Sequence, residues 1–236
     1  MRKTLNIKLA GVGFEITTCF DQTQFFSDFI SAPCEGDEKI AVIGDEIKEE
    51  CRQSRTADLI AAEQLIIHRK AANILPSYGA CVCHGVALSY GGKGYLFCGR
   101  SGAGKTTHSL LWERNLGDRL TVINGDKPII RIENGAVTLY SSPWAGKDDR
   151  KTNTSAPLCG VCFIKQGKAN AVTDISGRCA GRMLGQIYLP ADEKASVKTM
   201  EAANVLLQTV PVYELDCDIS DAAFRASFAA LTKEKQ

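Results

Sequence analysis

Residues 99–106 read Gly-Arg-Ser-Gly-Ala-Gly-Lys-Thr, and this octapeptide limits the fold of the chain more than any other feature. Its glycines let the backbone wrap closely, so that successive N–H groups can point at phosphate oxygens. A lysine and a hydroxyl residue at the end of this spacing are typical of a loop that binds nucleotide phosphates together with Mg²⁺. The alternative is a glycine turn followed by a chance Gly-Lys-Thr.

The residues on either side of the octapeptide support the phosphate-binding interpretation. Residues 95–98 form an apolar, aromatic run that predicts a strand leading into the loop, and residues 107–113 predict a helix leaving it. The N-terminus of that helix carries a partial positive charge, which favours an anion. We therefore expect these residues to bind the phosphates: Gly99, Arg100, Ser101, Gly102, Ala103, Gly104, Lys105, Thr106 and Thr107.

The composition restricts the partners that the chain can have. Its 236 residues are 44% hydrophobic and 23% charged, which is ordinary for a globular protein with a packed core. The net charge of +1 argues against nucleic acid as a partner. No apolar run reaches the ~18 residues that cross a bilayer, so we expect no membrane partner and a cytoplasmic location.

Ten cysteines are many for a chain of this length. Cys81 with Cys83, and Cys159 with Cys162, form close pairs, and a zinc site would use four ligands at such spacings. Both pairs lie in apolar, strand-like runs, where cysteine often serves as a small buried hydrophobe. Buried thiols are the favoured interpretation, and a metal or redox role is the alternative.

Hydrophobic periodicity predicts hairpins on both sides of the loop. Alternation over residues 5–16 predicts one hairpin, and residues 56–75 predict a helix with His68 at its surface or boundary. The remaining pattern predicts strands at residues 81–90, 95–98, 120–123, 129–132, 136–140, 161–164, 170–173 and 212–215, and helices at residues 177–188, 192–208 and 220–231, the last with a serine cap. The strands at 129–140 and at 161–173 are each predicted to pair as hairpins.

This order of elements predicts an α/β fold with a mixed sheet that is rich in antiparallel strands. Residues 1–77 would form an N-terminal lobe of hairpin and helix. Residues 78–236 would form a kinase-like domain around the phosphate loop, and one continuous domain is the alternative.

Asp126 is the candidate acid for the second half of the site. It follows the apolar strand predicted at residues 120–123. An aspartate at the end of such a strand is suited to reach a Mg²⁺ beside the phosphates. We therefore expect Thr106 and Asp126 to be the metal ligands, and a solvated carboxylate in an Asn-Gly-Asp turn is the alternative.

Together these motifs resemble the catalytic core of the HPr kinase/phosphorylase family over roughly residues 78–165. The resemblance is carried by residues 84–86 (His-Gly-Val), 91–94, 99–106, 119–120 (Arg-Leu) and 126. It implies a P-loop nucleotide-binding fold of the phosphoenolpyruvate carboxykinase-like type, with ATP and Mg²⁺ as cofactors. It also implies that His84 lies close to the γ-phosphate and that Asp126 accepts the proton of a hydroxyl. A buried histidine that caps a strand is the alternative for His84.

The chain departs from that family in three ways. It has Gly125-Asp126-Lys127 where HPr kinases carry adjacent acids. Its N-terminal part, residues 1–77, is shorter than the N-terminal domain of the family. The family's C-terminal segment that contains Pro-Gly-Arg is missing. HPr is therefore not the expected acceptor, and the chain is more similar to small HPr-kinase-related kinases.

Residues 141–151 form a second candidate loop, which combines turn residues, one aromatic residue and three cations. The loop is either a solvated turn or a lid that supplies Lys147 or Arg150 to the transferring phosphoryl group. Such cations accelerate transfer by ~10³-fold or more. The related small kinases have a similar Pro-Trp-x-Gly-Lys stretch.

The favoured function is an ATP-dependent kinase that phosphorylates a hydroxyl, with serine preferred, on a protein, a peptide or a small molecule. Its predicted catalytic residues are His84, Lys105, Asp126, Lys147 and Arg150. A nucleotide-binding regulatory module without turnover is the alternative, because only one acid is present. The sequence leaves open the acceptor and the oligomeric state, a homo-oligomer included.

Overall fold

The computed structural model describes residues 2–233. Its strands are β1 (Lys3–Leu9), β2 (Val12–Thr18), β3 (Glu38–Ala41), β4 (Ala80–Val82), β5 (Val86–Tyr90), β6 (Lys93–Cys98), β7 (Leu120–Asn124), β8 (Ile129–Glu133), β9 (Ala136–Tyr140), β10 (Ser155–Gln166), β11 (Ala171–Asp174) and β12 (Val212–Cys217). Its α-helices are α1 (Gly44–Ser54), α2 (Leu59–Ile74), α3 (Lys105–Leu116), α4 (Ala180–Leu184), α5 (Glu193–Thr209) and α6 (Asp221–Leu231).

The N-terminal part is a three-stranded sheet with two helices. Strands β1 and β2 are antiparallel, as predicted, and β3 runs parallel to β2. Helix α2 begins at Asp58, whose carboxylate accepts hydrogen bonds from the N–H groups of Ile60 and Ala61, as expected of an N-cap. Helix α1 was not predicted, because its sequence is mostly charged and only Ile47 and Glu50 are buried.

The second sheet is mixed and contains nine strands. Its main path runs β4-β8-β9-β10-β6-β5-β7, and β12 pairs with both β10 and β11. Strand β10 is parallel to β6 and to β12, whereas the other pairs in this sheet are antiparallel. The predicted α/β class and the predicted wealth of antiparallel pairs are confirmed.

The strand predicted at residues 81–90 is wrong, because the chain changes partner in its middle. Strand β4 pairs with β8, and β5 pairs with β6 and β7. Between them the N–H groups of Cys83, His84 and Gly85 donate to the carbonyl groups of Pro128, Gln186 and Asp126. Residues 83–85 therefore leave the ladder and turn towards the end of β7.

The hairpin predicted at residues 161–173 is also wrong. Strand β11 pairs antiparallel with β12, while both edges of β10 are occupied by other strands. The helix predicted at residues 177–188 is reduced to α4 with a short 3₁₀ turn before it. The hydroxyl of Ser220 donates to Asp218 and does not cap α6.

The apolar core forms three clusters. Alternate residues of β6 belong to clusters on opposite faces, with Leu96 on the face of α5 and with Tyr95 and Phe97 on the face of α3 and α6. This strand, which leads into the phosphate loop, is thus buried on both sides. The third cluster joins the N-terminal sheet and α2 to Ile129 and Trp144, so apolar packing crosses the predicted lobe boundary after residue 77.

Within residues 2–233, no helix combines the length and the apolar character that a membrane span requires.

Candidate active site

The candidate phosphate loop, residues 99–106, leads from β6 into the start of α3, as predicted. Gly99 has φ +146°, and a Cβ there would lie 3.1 Å from the Cβ of Ala103 and 3.2 Å from the carbonyl oxygen of Ile164. Gly104, at the N-cap of α3, has φ +102°. Both positions need glycine, because a side chain would be strained at either φ and would also be crowded at Gly99.

The side chain of Lys105 lies along the loop that precedes it. Its Nζ donates hydrogen bonds to the carbonyl oxygens of Gly99 at 2.9 Å and Arg100 at 3.3 Å. The side chain is buried, and burial lowers the pKa of Lys105. Thr106 and Thr107 are exposed, and their hydroxyls form no hydrogen bond within residues 2–233. The first turn of α3 therefore presents one buried cation and two free hydroxyls.

Asn124, the last residue of β7, holds the turn that carries the candidate acid. Its Oδ1 accepts hydrogen bonds from the N–H groups of Asp126 at 2.9 Å and Lys127 at 2.7 Å. Its Nδ2 donates to the carbonyl oxygen of Ser142 at 2.9 Å. Because Asn124 is fully buried, this turn is fixed at the edge of the sheet, and the side chain of Asp126 on it is 30% exposed.

The carboxylate of Asp126 contacts two donors. The Nε2 of His84 lies 3.3 Å from Oδ1, and the Nζ of Lys127 lies 2.7 Å from Oδ2. Partial burial acts to raise the pKa of Asp126, but the hydrogen bonds from His84 and Lys127 outweigh it and lower the pKa to about 2. Asp126 is therefore ionised at neutral pH.

His84 reaches Asp126 because the strand pairing is interrupted between β4 and β5. The N–H of Gly85 donates to the carbonyl oxygen of Asp126 at 3.0 Å, which joins the two segments beside the imidazole. The side chain of His84 is 36% exposed. The alternative of a buried histidine capping a strand is therefore wrong.

The second loop is anchored on both the N-terminal part and α3. Trp144 is buried, packs edge-on against Phe26 and His68, and donates its Nε1–H to the carbonyl oxygen of Gln64 at 3.0 Å. The guanidinium of Arg150 forms an ion pair with Glu113 of α3. The loop is consequently packed, and the alternative of a wholly solvated turn is wrong.

Arg150 and Lys147 differ in their freedom. Arg150 also donates to the Oγ of Ser109 at 3.0 Å, so its guanidinium is fixed on α3. Lys147 is exposed, and its ammonium forms no hydrogen bond or ion pair within residues 2–233. Gly146, which precedes Lys147, has φ +80°, and a Cβ there would lie 3.0 Å from the Cβ of Asp126. The loop thus passes directly over the candidate acid.

One cavity of about 440 Å³, which we name the site cavity, brings the predicted catalytic residues together. Its lining includes His84, Lys105, Asp126, Lys147 and Arg150, together with the candidate phosphate ligands Ser101, Gly102, Gly104, Thr106 and Thr107. The other three candidate phosphate ligands, Gly99, Arg100 and Ala103, line a neighbouring cavity of about 800 Å³, which we name the outer cavity.

A magnesium ion in the site cavity would need ligands from outside the protein. Thr106 supplies a free hydroxyl and Asp126 supplies one carboxylate, and Mg²⁺ is commonly held by one or two carboxylates plus substrate phosphates. No group of three or more His, Cys, Asp or Glu in residues 2–233 is placed to hold a metal. The residues present therefore fit a metal that is shared with phosphates.

Sequence reasoning missed three residues of this region. The contact of Lys127 with Asp126 and the anchoring of Trp144 depend on tertiary neighbours. His68 was predicted at the surface or boundary of its helix, but it is buried beside Trp144 and Tyr188. Its Nε2 has no hydrogen-bond partner in the described residues, and burial lowers its pKa to about 4. Its spacing from the apolar Ala71 and Ala72 was an available signal for burial.

Three of the four paired cysteines lie in strands, as predicted: Cys81 in β4, and Cys159 and Cys162 in β10. Cys83 lies just after β4, where the chain leaves the ladder. Cys81, Cys83 and Cys162 are buried, which confirms the buried-thiol interpretation for them, whereas Cys159 is only half-buried. Burial raises the pKa of Cys81 and of Cys162 well above that of a free thiol. The hydrogen bond with Cys98, together with burial, also raises the pKa of Cys83, so these three thiols are protonated at neutral pH.

Neither a protein-family model nor a curated protein sequence matches the chain. Among solved structures, the chain is similar to the HPr(Ser) kinase/phosphatase from Coxiella burnetii, with a TM-score of 0.37 and 12% sequence identity. The match covers 63% of this chain and 88% of that one. A likeness this distant leaves the function to be inferred from the residues of the site.

Proposed function

We propose that the protein is an ATP-dependent phosphotransferase with a P-loop fold of the phosphoenolpyruvate carboxykinase-like type. It would transfer the γ-phosphoryl group to a hydroxyl, with serine preferred, of a protein, a peptide or a small molecule. The observation that carries this proposal is the convergence of His84, Lys105, Asp126, Lys147 and Arg150 on the site cavity beside the first turn of α3.

The phosphate loop would bind the triphosphate. The first N–H groups of a helix lack partners within the helix, and here they open onto the site cavity. Lys105 would exchange its two loop carbonyls for the β- and γ-phosphates, where its charge is better balanced. Burial strengthens that interaction, because a partly desolvated ammonium is less screened by water.

Thr106 and Asp126 would hold Mg²⁺ together with phosphate oxygens. The ion supplies charge neutralisation on the phosphates when it is bound. A carboxylate offers about four lone-pair sites, so the hydrogen bonds from His84 and Lys127 leave Asp126 able to accept further contacts.

Asp126 would also orient the acceptor hydroxyl. With a pKa of about 2 it is a weak base, so it would take the proton late, after the new P–O bond has begun to form. A loose transition state tolerates this order, because little nucleophile activation is needed. His84 would keep the carboxylate oriented and face the γ-phosphate.

Lys147 and Arg150 would stabilise the negative charge on the phosphoryl group in the transition state of its transfer. Arg150 is fixed on α3 and would act as a preorganised donor. Lys147 is exposed on the loop that covers Asp126 and could swing onto the phosphates once ATP is bound.

A regulatory module that binds nucleotide without turnover is the second candidate. One observation favours it. Both oxygens of Asp126 already contact a donor, His84 on one side and Lys127 on the other. No second acid stands next to Asp126 in sequence to act as base.

Transfer of label from γ-labelled ATP separates the two candidates. The wild type, Lys105→Ala and Asp126→Asn are incubated with Mg²⁺ and pools of peptides, proteins and small hydroxyl compounds, with Lys198→Ala, at an exposed position of α5, as a matched control. Acceptor-dependent labelling that both site variants lose and the control keeps supports the phosphotransferase. Tight ATP binding by the wild type, with no transfer to any acceptor, supports the module.

A further inference from the structure

We propose that a cavity of about 290 Å³ on the α3 side of the phosphate loop binds the nucleoside part of the nucleotide. We name it the α3 cavity. It lies between α3, at Thr107 and Leu111, and the segments that follow β10 and β12, at Gly167 and Ile219. This inference rests on the proposed function, because it states on which side of the site cavity the nucleoside of the bound triphosphate lies.

The orientation of the triphosphate is inferred from the residues that line both the site cavity and the α3 cavity. Gly104 and Thr107 line both the site cavity and the α3 cavity. In a phosphate loop the lysine reaches the β- and γ-phosphates, while backbone N–H groups hold the α- and β-phosphates. With the γ-phosphate at Lys105 and Asp126, the α-phosphate lies towards Thr107, and the nucleoside leaves into the α3 cavity.

The outer cavity is larger, but its position suits the nucleoside less well than the position of the α3 cavity does. It is lined by residues 99–103 of the loop, of which Ser101 and Gly102 also line the site cavity, and by no residue of α3. A nucleoside there would have to pass over the outside of the loop.

Ile219 gives the α3 cavity an apolar surface that nothing in residues 2–233 covers. It is 76% exposed, more than any other large hydrophobic side chain in the described residues. Leu111 of α3 is a buried residue in the wall of the same cavity. A flat base inserted between them would remove apolar surface from water, which is favourable.

The test compares ATP with inorganic tripolyphosphate, which carries phosphates and no nucleoside. Binding of each to the wild type and to Ile219→Ser is measured by calorimetry in the presence of Mg²⁺. We expect ATP to bind about tenfold more weakly to Ile219→Ser, because part of an isoleucine side chain no longer covers the base. Tripolyphosphate should bind both proteins equally.

Two further variants make the test specific. Ile60→Ser removes an isoleucine of α2 that is 47% exposed and away from the three cavities, and it should leave both affinities unchanged. Arg182→Ala alters the outer cavity and should also leave both affinities unchanged.

Three results would overturn the inference. Equal affinity of Ile219→Ser and the wild type for ATP removes the nucleoside from this cavity, while retained tripolyphosphate binding leaves the proposed function intact. A loss of ATP affinity confined to Arg182→Ala places the nucleoside in the outer cavity. If the wild type binds neither ATP nor tripolyphosphate, the proposed function is lost together with the inference.

Discussion

The carboxylate of Asp126 shows how one adjacent residue sets the charge of the site. Lys127 follows it in sequence, and the buried Asn124 accepts hydrogen bonds from both backbone N–H groups. Hydrogen bonds from the imidazole of His84 and from the ammonium of Lys127 lower the pKa of Asp126 to about 2. The ionised carboxylate therefore stabilises the folded state, and this stabilisation is lost when the carboxylate becomes protonated at low pH.

Asp126→Asn is expected to destabilise the fold in a pH-dependent way. The pKa of Asp126 falls from 3.8 to about 2 on folding, so its stabilisation is present above pH ~4 and is lost as the pH falls towards 2. We expect a loss of at most about 2 kcal/mol at pH 6 and a smaller loss at pH 3. Urea unfolding at both pH values measures it.

Asp118→Asn is the control for that experiment. Asp118 is exposed and forms no hydrogen bond or ion pair in the described residues, so its variant should match the wild type at both pH values. A destabilisation by Asp126→Asn that is as large at pH 3 as at pH 6 would show that the carboxylate is not held in its ionised form.

Lys147→Ala separates a binding role from a structural one. The ammonium of Lys147 has no partner in the described residues, so we expect the free energy of unfolding to change by less than about 0.5 kcal/mol. Loss of a cation beside the phosphates should weaken ATP binding by about tenfold. Calorimetry and urea unfolding measure the two effects.

Arg150→Ala provides the contrast, since it also removes the ion pair with Glu113 and the hydrogen bond to Ser109. It should lower both ATP affinity and stability. Unchanged ATP affinity of Lys147→Ala would leave the second loop without a role in binding phosphates.

Local sequence was sufficient to identify the residues of the loop and the candidate acid. The spacing of Gly99, Gly104 and Lys105 is a property of eight consecutive residues, and Asp126 follows a recognisable apolar strand. The environment of those residues was not predictable in the same way. The contact of Trp144 with Gln64 joins residues that are 80 positions apart, and no local pattern encodes it.

At the scale of elements, the break between β4 and β5 creates the site. A continuous strand over residues 81–90 would keep His84 within a single ladder. Gly85 makes the break tight, because a Cβ there would lie 2.9 Å from both the Cδ1 of Leu96 and the carbonyl oxygen of Phe97. The backbone of the break is thus packed directly on β6, next to the phosphate loop.

Gly85→Ala is expected to destabilise the fold by about 1–3 kcal/mol, because the added methyl group meets a backbone oxygen that cannot rotate away. Urea unfolding measures this loss. The matched control is Gly44→Ala at the start of α1, where a Cβ meets no atom within 4 Å and the variant should be neutral or slightly more stable. Equal stability of the two variants would show that β6 can move to accommodate the break.

Elements that pair with their neighbours in sequence were predictable, and those that pair at a distance were not. The hairpins β1–β2 and β8–β9 follow from alternation on either side of a turn. The strand β11 was assigned to β10 for the same reason. It pairs with β12, however, because β10 is already occupied on both edges by parallel partners that are remote in sequence.

At the scale of the whole molecule, the second loop joins the site to the N-terminal part. Trp144 lies in the cluster that contains Phe14, Phe26 and Ile67, and Asn153 donates a hydrogen bond to the carbonyl oxygen of Asp28. Residues 1–77 thereby support the segment that carries Lys147. Loss of the N-terminal core would release that segment from above Asp126.

This packing predicts that the chain unfolds in one cooperative step, although the sequence also allowed a separate lobe at residues 1–77. The chain has two tryptophans, so in Trp112→Phe the fluorescence reports only Trp144, at the contact between the two parts. We expect its urea transition to coincide with the transition seen by far-UV circular dichroism, which averages over both sheets.

The reciprocal variant Trp144→Phe reports Trp112, which packs among α3, α6 and β6. It should also give coincident transitions, at a lower midpoint than that of the wild type, because the hydrogen bond from Nε1 of Trp144 to the carbonyl oxygen of Gln64 is lost, which costs about 1 kcal/mol. A fluorescence transition of Trp112 that stays in place while circular dichroism shows an earlier step would mean that residues 1–77 unfold alone. Lys147 would then be carried by a loop whose anchor can detach while the phosphate loop remains folded.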